Sequence, residues 1–218
     1  MGDSLRSFGD QISGIGRSLT TLTAPLMAIG GIAISSFVNF DEAMTNIQAV
    51  TGATADEMKT LGDEILQIGE HSRAGPQAVA EAFYDIAGGV VDASARMATL
   101  KAAVAAAEAG NADLGITTKA LIAIMNGYGF SADKAGYASD VLTRAVGLGV
   151  GTMDEFASAL PNVAGMAANL GISFEDLGGM MAFITTKGVS ANEAGTQLTS
   201  MMTALIKPTD DMSDALAS

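Results

Sequence analysis

Apolar residues recur along this chain at helical spacing, and short glycine-containing links interrupt the recurrence. From Ala55 to His71, the residues Met58, Leu61, Ile65 and Ile68 form one stripe on an otherwise polar segment. Thr54-Ala55-Asp56-Glu57 precedes it as a capping box, the Thr54 hydroxyl accepting from the third helical amide while Glu57 reaches back. Val79, Phe83 and Ile86 follow Pro76, whose fixed φ suits a first helical turn. Ala93 to Ala109 carries Met97, Leu100, Val104 and Ala107. Further stripes are Leu121, Ile124 and Met125, then Ala138, Val141, Leu142 and Ala145. Phe156, Leu160, Val163, Ala167 and Leu170 make the next, which Pro161 is expected to kink or interrupt. The last two are Phe174, Leu177, Met181, Ile184 and Ala194, Leu198, Met201, Leu205. No segment alternates as a strand would, so the spacing predicts an all-α fold without a sheet.

The links share one chemistry. Gly129-Phe130-Ser131, Gly171-Ile172-Ser173 and Gly188-Val189-Ser190 each read glycine, apolar, serine. The glycine can close the preceding helix in the left-handed conformation, and the serine can cap the next. Asp176 and Glu193 stand where they would complete a box at two of the three sites. Joints this short predict a multi-helix array of helical hairpins. Their unequal intervals argue against a solenoid repeat.

Composition changes this picture at the N-terminus. Ser18 to Phe40 carries no charge, and Leu22 to Phe40 is long enough for a membrane span. Its apolarity is diluted by Thr20, Thr21, Thr23, Pro25, Gly30, Gly31, Ser35, Ser36 and Asn39, which favours a buried or partner-covered helix over a bilayer span. The expected organisation is an apolar helical segment over 1–39, a helical core over 40–208 and a C-terminal tail over 209–218. Aromatic residues are 5% of the 218, tryptophan is absent, and Gly (26) and Met (13) are abundant, so Ala and Gly pack backbones closely while Leu, Ile and Met fill gaps. Shallow stripes of this kind predict a marginal compact fold that exchanges readily for pairing between copies.

Charge and candidate chemistry narrow the function classes. The net charge is −13 and the eleven basic residues are scattered, which excludes specific nucleic-acid binding through a basic stripe. Cysteine is absent and His71 is the single histidine, so no His- or Cys-based metal site can be assembled. Glu64, Glu70 and the pair Asp154-Glu155 are the carboxylates to weigh for acid–base work, yet helix N-termini attract acids without any catalysis. Gly147-x-Gly149-x-Gly151 follows a helical pattern and lacks the Lys-Ser/Thr of a phosphate loop, which makes it a flexible joint. Met180-Met181 and Met201-Met202 fit core positions better than an adaptable partner surface. No catalytic, cofactor-binding or metal-ligating residue is nominated, and no cofactor is implied.

Two stretches carry a family likeness. Phe40-Asp41-Glu42-Ala43-Met44-Thr45-Asn46-Ile47-Gln48-Ala49-Val50-Thr51-Gly52-Ala53 is followed by an acidic amphipathic helix. Gly188-Val189-Ser190-Ala191-Asn192-Glu193-Ala194-Gly195-Thr196-Gln197-Leu198 leads to Leu205-Ile206-Lys207-Pro208. Together with Ala78 to Ala82 and Gly171 to Leu177 between them, they resemble the N-terminal core region of phage tail tape measure proteins, over Phe40 to Pro208. The resemblance implies a structural, non-enzymatic tail protein housed in the tail lumen of the virion. It also implies presence in the host cytoplasm during assembly, and a part in tail assembly, tail length determination and genome passage into the host. The partners it implies are tail tube protein, tail assembly chaperones and other copies of the chain, with host membrane contact on infection. Family members are usually much longer, and even a fully helical chain of this length would span only about 330 Å. The chain therefore looks like the core domain without the repetitive ruler.

Two other readings stay open at this point. The uncharged Ser18–Phe40 run suits a membrane-active helical protein, pore-forming or holin-like. A cell-wall hydrolase of the kind sometimes fused into long tail proteins would need a catalytic acid in a cleft, and only surface-type carboxylates are present.

Overall fold

The computed structural model describes residues 34–90 and 92–207, with side chains from residue 39 onward. Most of the Ser18–Phe40 run and the whole 209–218 tail lie outside the described residues. Those described form helices joined by short links, with no strand among them, so the fold is all-α. By its internal contacts the chain divides after Gly88 into two units.

The first unit contains α1 (Ile34–Thr51), α2 (Ala55–His71) and α3 (Gly75–Gly89, whose final residue crosses the division). In α1, Phe40, Ala43, Met44 and Ile47 are buried at i, i+3, i+4 and i+7, one helical face. Gly52 turns the chain at φ +66°, and its amide donates to the Gln48 carbonyl at 2.9 Å. The capping box at Thr54 forms as its residues predict, with the Thr54 amide donating to Glu57 Oε2 at 2.8 Å and the Glu57 amide to Thr54 Oγ1 at 3.4 Å. The buried stripe of α2 differs from the expected one. It is Met58, Gly62, Ile65 and Gly69, while Leu61 and Ile68 sit half-buried at its edges. The reason lies in the link to α3: a Cβ on Gly69 would stand 2.3 Å from the Cα of Pro76, so only glycine lets the backbones pass. Pro76 occupies the first turn of α3, and Val79, Phe83 and Ile86 are buried, as their spacing requires.

The second unit contains α4 (Ala93–Gly110), α5 (Leu114–Tyr128), a short 3₁₀ turn (Ala132–Lys134), α6 (Ala135–Leu148), α7 (Met153–Ala159), α8 (Pro161–Asn169), α9 (Phe174–Thr185) and α10 (Ala191–Ile206). Helix α4 packs on α5 and α6, α5 also meets α7 and α8, and α9 and α10 pack on each other and on the α6–α8 group. Phe156, Phe174, Leu100, Leu121, Ile124, Leu142, Met153 and Leu160 fill the centre. Helix α4 buries residues around much of its circumference, Ala95, Thr99, Ala102, Ala103 and Ala106 as well as Leu100, Val104 and Ala107. Met97, expected on the stripe, is only half-buried. Pro161 does more than kink its helix. It divides the stripe into α7 and α8 and takes a first-turn position of α8, where its missing N–H leaves no partner unsatisfied. In α10 the buried methionine is Met202, whereas Met201 and Leu205 are 55% and 47% exposed. Leu198 to Met202 is a full i, i+4 step along the same face, and Met201 falls off to its side.

The glycine–apolar–serine joints close as the residues suggest. Gly129, Gly171 and Gly188 adopt φ of +63°, +74° and +88°. The Phe130 amide returns to the Met125 carbonyl at 2.8 Å and the Ile172 amide to the Ala167 carbonyl at 2.9 Å, the six-residue closure of a Schellman motif. The same closure occurs at Asn111, where the Ala112 amide reaches the Ala107 carbonyl at 2.8 Å. Ser173 and Ser190 accept from the amides of Asp176 and Glu193. The reciprocal half of the expected box forms at neither site: the Asp176 carboxylate takes the Ser173 hydroxyl at 2.7 Å instead of the cap amide, and at Ser190 only the Glu193 amide takes part. Ser131 makes no such cap, because a 3₁₀ turn and not an α-helix follows it. Thr152 and Glu155 build a complete capping box at α7.

Candidate functional surfaces

The carboxylates weighed for chemistry are occupied by local structure or by solvent. Glu155 accepts the Thr152 amide at 2.8 Å, closing the N-terminus of α7. Asp154 accepts the Asp113 amide at 3.0 Å and so ties the start of α5 to the start of α7. Glu64 and Glu70 lie exposed on α2, and His71 at its end places Nδ1 2.8 Å from the Gln67 carbonyl. Among the described residues, no group of His, Asp or Glu is arranged to hold a metal ion.

The Gly147–Gly151 link is a pinned joint. Gly149 is needed because a Cβ there would stand 2.7 Å from both Phe156 Cζ and Thr185 Oγ1. The Val150 amide donates to Thr185 Oγ1 at 3.0 Å, which fixes the link on the end of α9. Leu148 and Val150 are left 64% and 62% exposed. Each methionine pair splits between inside and outside: Met181 and Met202 are buried, Met180 is half-buried and Met201 exposed.

Two surface features carry more than the sequence spacing suggests. In the first unit, Asn39, Glu42, Asn46, Gln77, Glu81 and Asp85 line a polar groove along α1 and α3. Its amides are partly used, with Asn39 Nδ2 donating to Gln77 Oε1 at 3.3 Å and Gln77 Nε2 to Glu81 Oε1 at 2.9 Å. In the second unit, Ile172, Glu175, Asp176, Gly179, Met180 and Phe183 line an open groove on the outer face of α9. Phe183 is 64% exposed, and Lys187 Nζ sits 4.9 Å from its ring centroid.

Beside that groove four of the chain's eleven aromatic residues gather. Tyr128 stacks on Phe130 at 5.2 Å and tilts against Phe174 at 5.5 Å, while Phe130 meets Tyr137 edge-on at 5.6 Å. Burial, reinforced by the fields of Tyr137, Asp176 and Glu175, pushes the Tyr128 hydroxyl up to about 12. Tyr137 is likewise pushed up to about 12, by burial and by donating to the Glu175 carboxylate. Two helix joints bring the rings of Tyr128, Phe130 and Tyr137, which share one stretch of sequence, together with that of Phe174. Tyr128, Phe130 and Tyr137 lie within eight residues of Gly129 (φ +63°), and Phe174 lies three residues after Gly171 (φ +74°).

Among the described residues, no helix is long and apolar enough to cross a membrane. The geometry is that of a helical packing domain whose charged groups close helix ends and whose open faces are grooves. A profile of the phage-related minor tail protein family matches residues 62–218, and the chain belongs to that family. It is 26% identical over 213 residues to the tape measure protein of Pneumococcus phage Dp-1, covering 96% of this chain and 18% of that protein. It is 28% identical over 183 residues to the probable tape measure protein of Escherichia phage P2, covering 81% of this chain and 22% of that one. The chain thus spans about a fifth of the length of these relatives. No solved structure matches it.

Proposed function

We propose that this chain is a structural, non-enzymatic domain of a phage or prophage tail, the core portion of a tape measure protein acting in tail assembly and tail length determination. The observation that carries the reading is the alignment with two tape measure proteins over 81% and 96% of the chain, within a family profile spanning 62–218. In this reading 1–39 is an apolar helical segment, 40–208 the core and 209–218 a C-terminal tail. The domain resides in the tail lumen after passing through the host cytoplasm. It works with tail tube protein, assembly chaperones and other copies of itself, and accompanies genome passage into the host. The described helices of the second unit, of 7 to 18 residues, pack on one another, so this unit contributes a folded body and not a linear measure of length. The membrane-active alternative rests on the Ser18–Phe40 run, and no observation favours it.

The test is an antibody against 89–207 applied to purified tails. The reading expects the domain to be present, protected from protease in intact tails and accessible after DNA ejection. Tails of normal length and composition assembled without this polypeptide would sink it.

A further inference from the structure

The outer face of α9 is self-complementary. Helix α9 buries Phe174, Leu177, Gly178, Met181, Ala182 and Thr185. The opposite side presents Asp176, Met180 and Phe183, and Lys187 follows in the turn after the helix, at steps of four, three and four residues, the spacing of a coiled-coil seam. The seam has an acid at one end, a base at the other and two large apolar side chains between. In an antiparallel pair of such helices the residue numbers facing each other sum to a constant. Setting Asp176 against Lys187 of the second copy also sets Met180 against Phe183 of that copy, because both sums are 363. One register therefore satisfies all four layers. Gly179 adjoins the seam, and a Cβ built on it meets nothing within 4 Å, so the backbones can approach there. The helix polarity agrees: an acid near an α-helix N-terminus and a base near its C-terminus are each favoured, and an antiparallel neighbour places them opposite one another.

We propose that this face is a homotypic docking surface, on which a second copy seats its own α9 antiparallel about a two-fold axis. Charge complementarity favours this occupant over an unrelated apolar helix, since the register that pairs Met180 with Phe183 also sets both Asp176 and Lys187 against an opposite charge. The proposal does not depend on the tail reading. The seam runs over about 17 Å, which is short of what a standard stable interface requires, so the dimer is weak in dilute solution. It becomes populated where copies are concentrated or tethered.

The chain contains no cysteine, so single cysteines can be placed without background. Full-length Met180→Cys and Phe183→Cys proteins are mixed under mild oxidation, alongside Ser200→Cys as a control on exposed α10. The expected result is a Met180→Cys/Phe183→Cys mixed disulfide forming well ahead of any control dimer. Sedimentation velocity over a concentration series supplies the second readout. Lys187→Asp weakens the dimer about tenfold, since two symmetric ion pairs are lost. Phe183→Glu abolishes it while the helical circular dichroism persists. Cross-linking no faster than the control, a dimer indifferent to Phe183→Glu, or a monomer up to roughly 1 mM would each overturn the proposal.

Discussion

The crossing of α5 and α8 offers a controlled experiment on what glycine does in this fold. Gly127 and Gly165 face the same junction, yet their surroundings differ. A Cβ on Gly127 would stand 3.1 and 3.3 Å from the N and Cα of Gly165 and 3.4 Å from the carbonyl carbon of Ala164, all backbone atoms. A Cβ on Gly165 meets nothing within 4 Å. Gly165→Ala should therefore collect the helix-propensity and unfolded-chain gain alone, about 1 kcal/mol, which is roughly 2–4 °C in Tm for a protein of this size. Gly127→Ala gains part of the same term, because it sits in the last turn of α5, and loses roughly 1–3 kcal/mol by forcing two backbones apart. The two variants should differ by about 1–3 kcal/mol, with Gly165→Ala the more stable. Urea and thermal unfolding followed at 222 nm measure this, with equal m-values required for the comparison. Equal shifts in both variants, or Gly127→Ala the more stable, would refute the asymmetric crossing.

Gly69→Ala, whose Cβ would stand 2.3 Å from Pro76 Cα, should cost the first unit about 2–3 kcal/mol; hydrogen exchange in 55–89 should rise while 93–206 is unchanged, and uniform protection would contradict the clash. Tyr128 and Tyr137 should ionise near 12 in the folded chain, and the phenolate absorbance at 295 nm reports it. Their raised folded values mean that stability is intact below the ordinary tyrosine pKa and falls as pH rises through 10 to 12, so unfolding without phenolate formation would count against the aromatic cluster. The Thr54 amide and hydroxyl hold the Glu57 carboxyl below its ordinary value, so the stability it lends is present above that value and lost as pH falls below it. Glu57→Gln should flatten the acid limb of an α2 helicity titration, and an unchanged limb would show that the box is not what titrates.

Stripes such as Phe156, Leu160 and Val163 or Val79, Phe83 and Ile86 were legible because large apolar residues at helical steps are usually buried, while Leu61, Ile68 and Leu205 fall at or beyond the edge of their buried faces. Left-handed joints were legible for the same reason, since glycine before an apolar residue and a serine has few alternatives. Gly62 and Gly69 on the α2 stripe were not, because a glycine contributes no hydrophobic signal and its value depends on a neighbour, Pro76, that only the fold supplies. Met201 and Met202 could not be separated by type, only by angle around α10. The aromatic cluster and the α9 seam were illegible for a further reason: one is assembled across helices, and the other faces away from the stripe that identifies its helix.

Helix α4 has buried residues on several sides and is made largely of alanine, a combination with a consequence for how this protein can change. An alanine at 95, 102, 103 or 106 is buried and has little solvent face to turn toward. In a saturation library these plain positions should tolerate fewer replacements than the exposed Phe183 or Leu148. Substitution tolerance in this domain would then run opposite to chemical conspicuousness, with its least distinctive residues the most constrained.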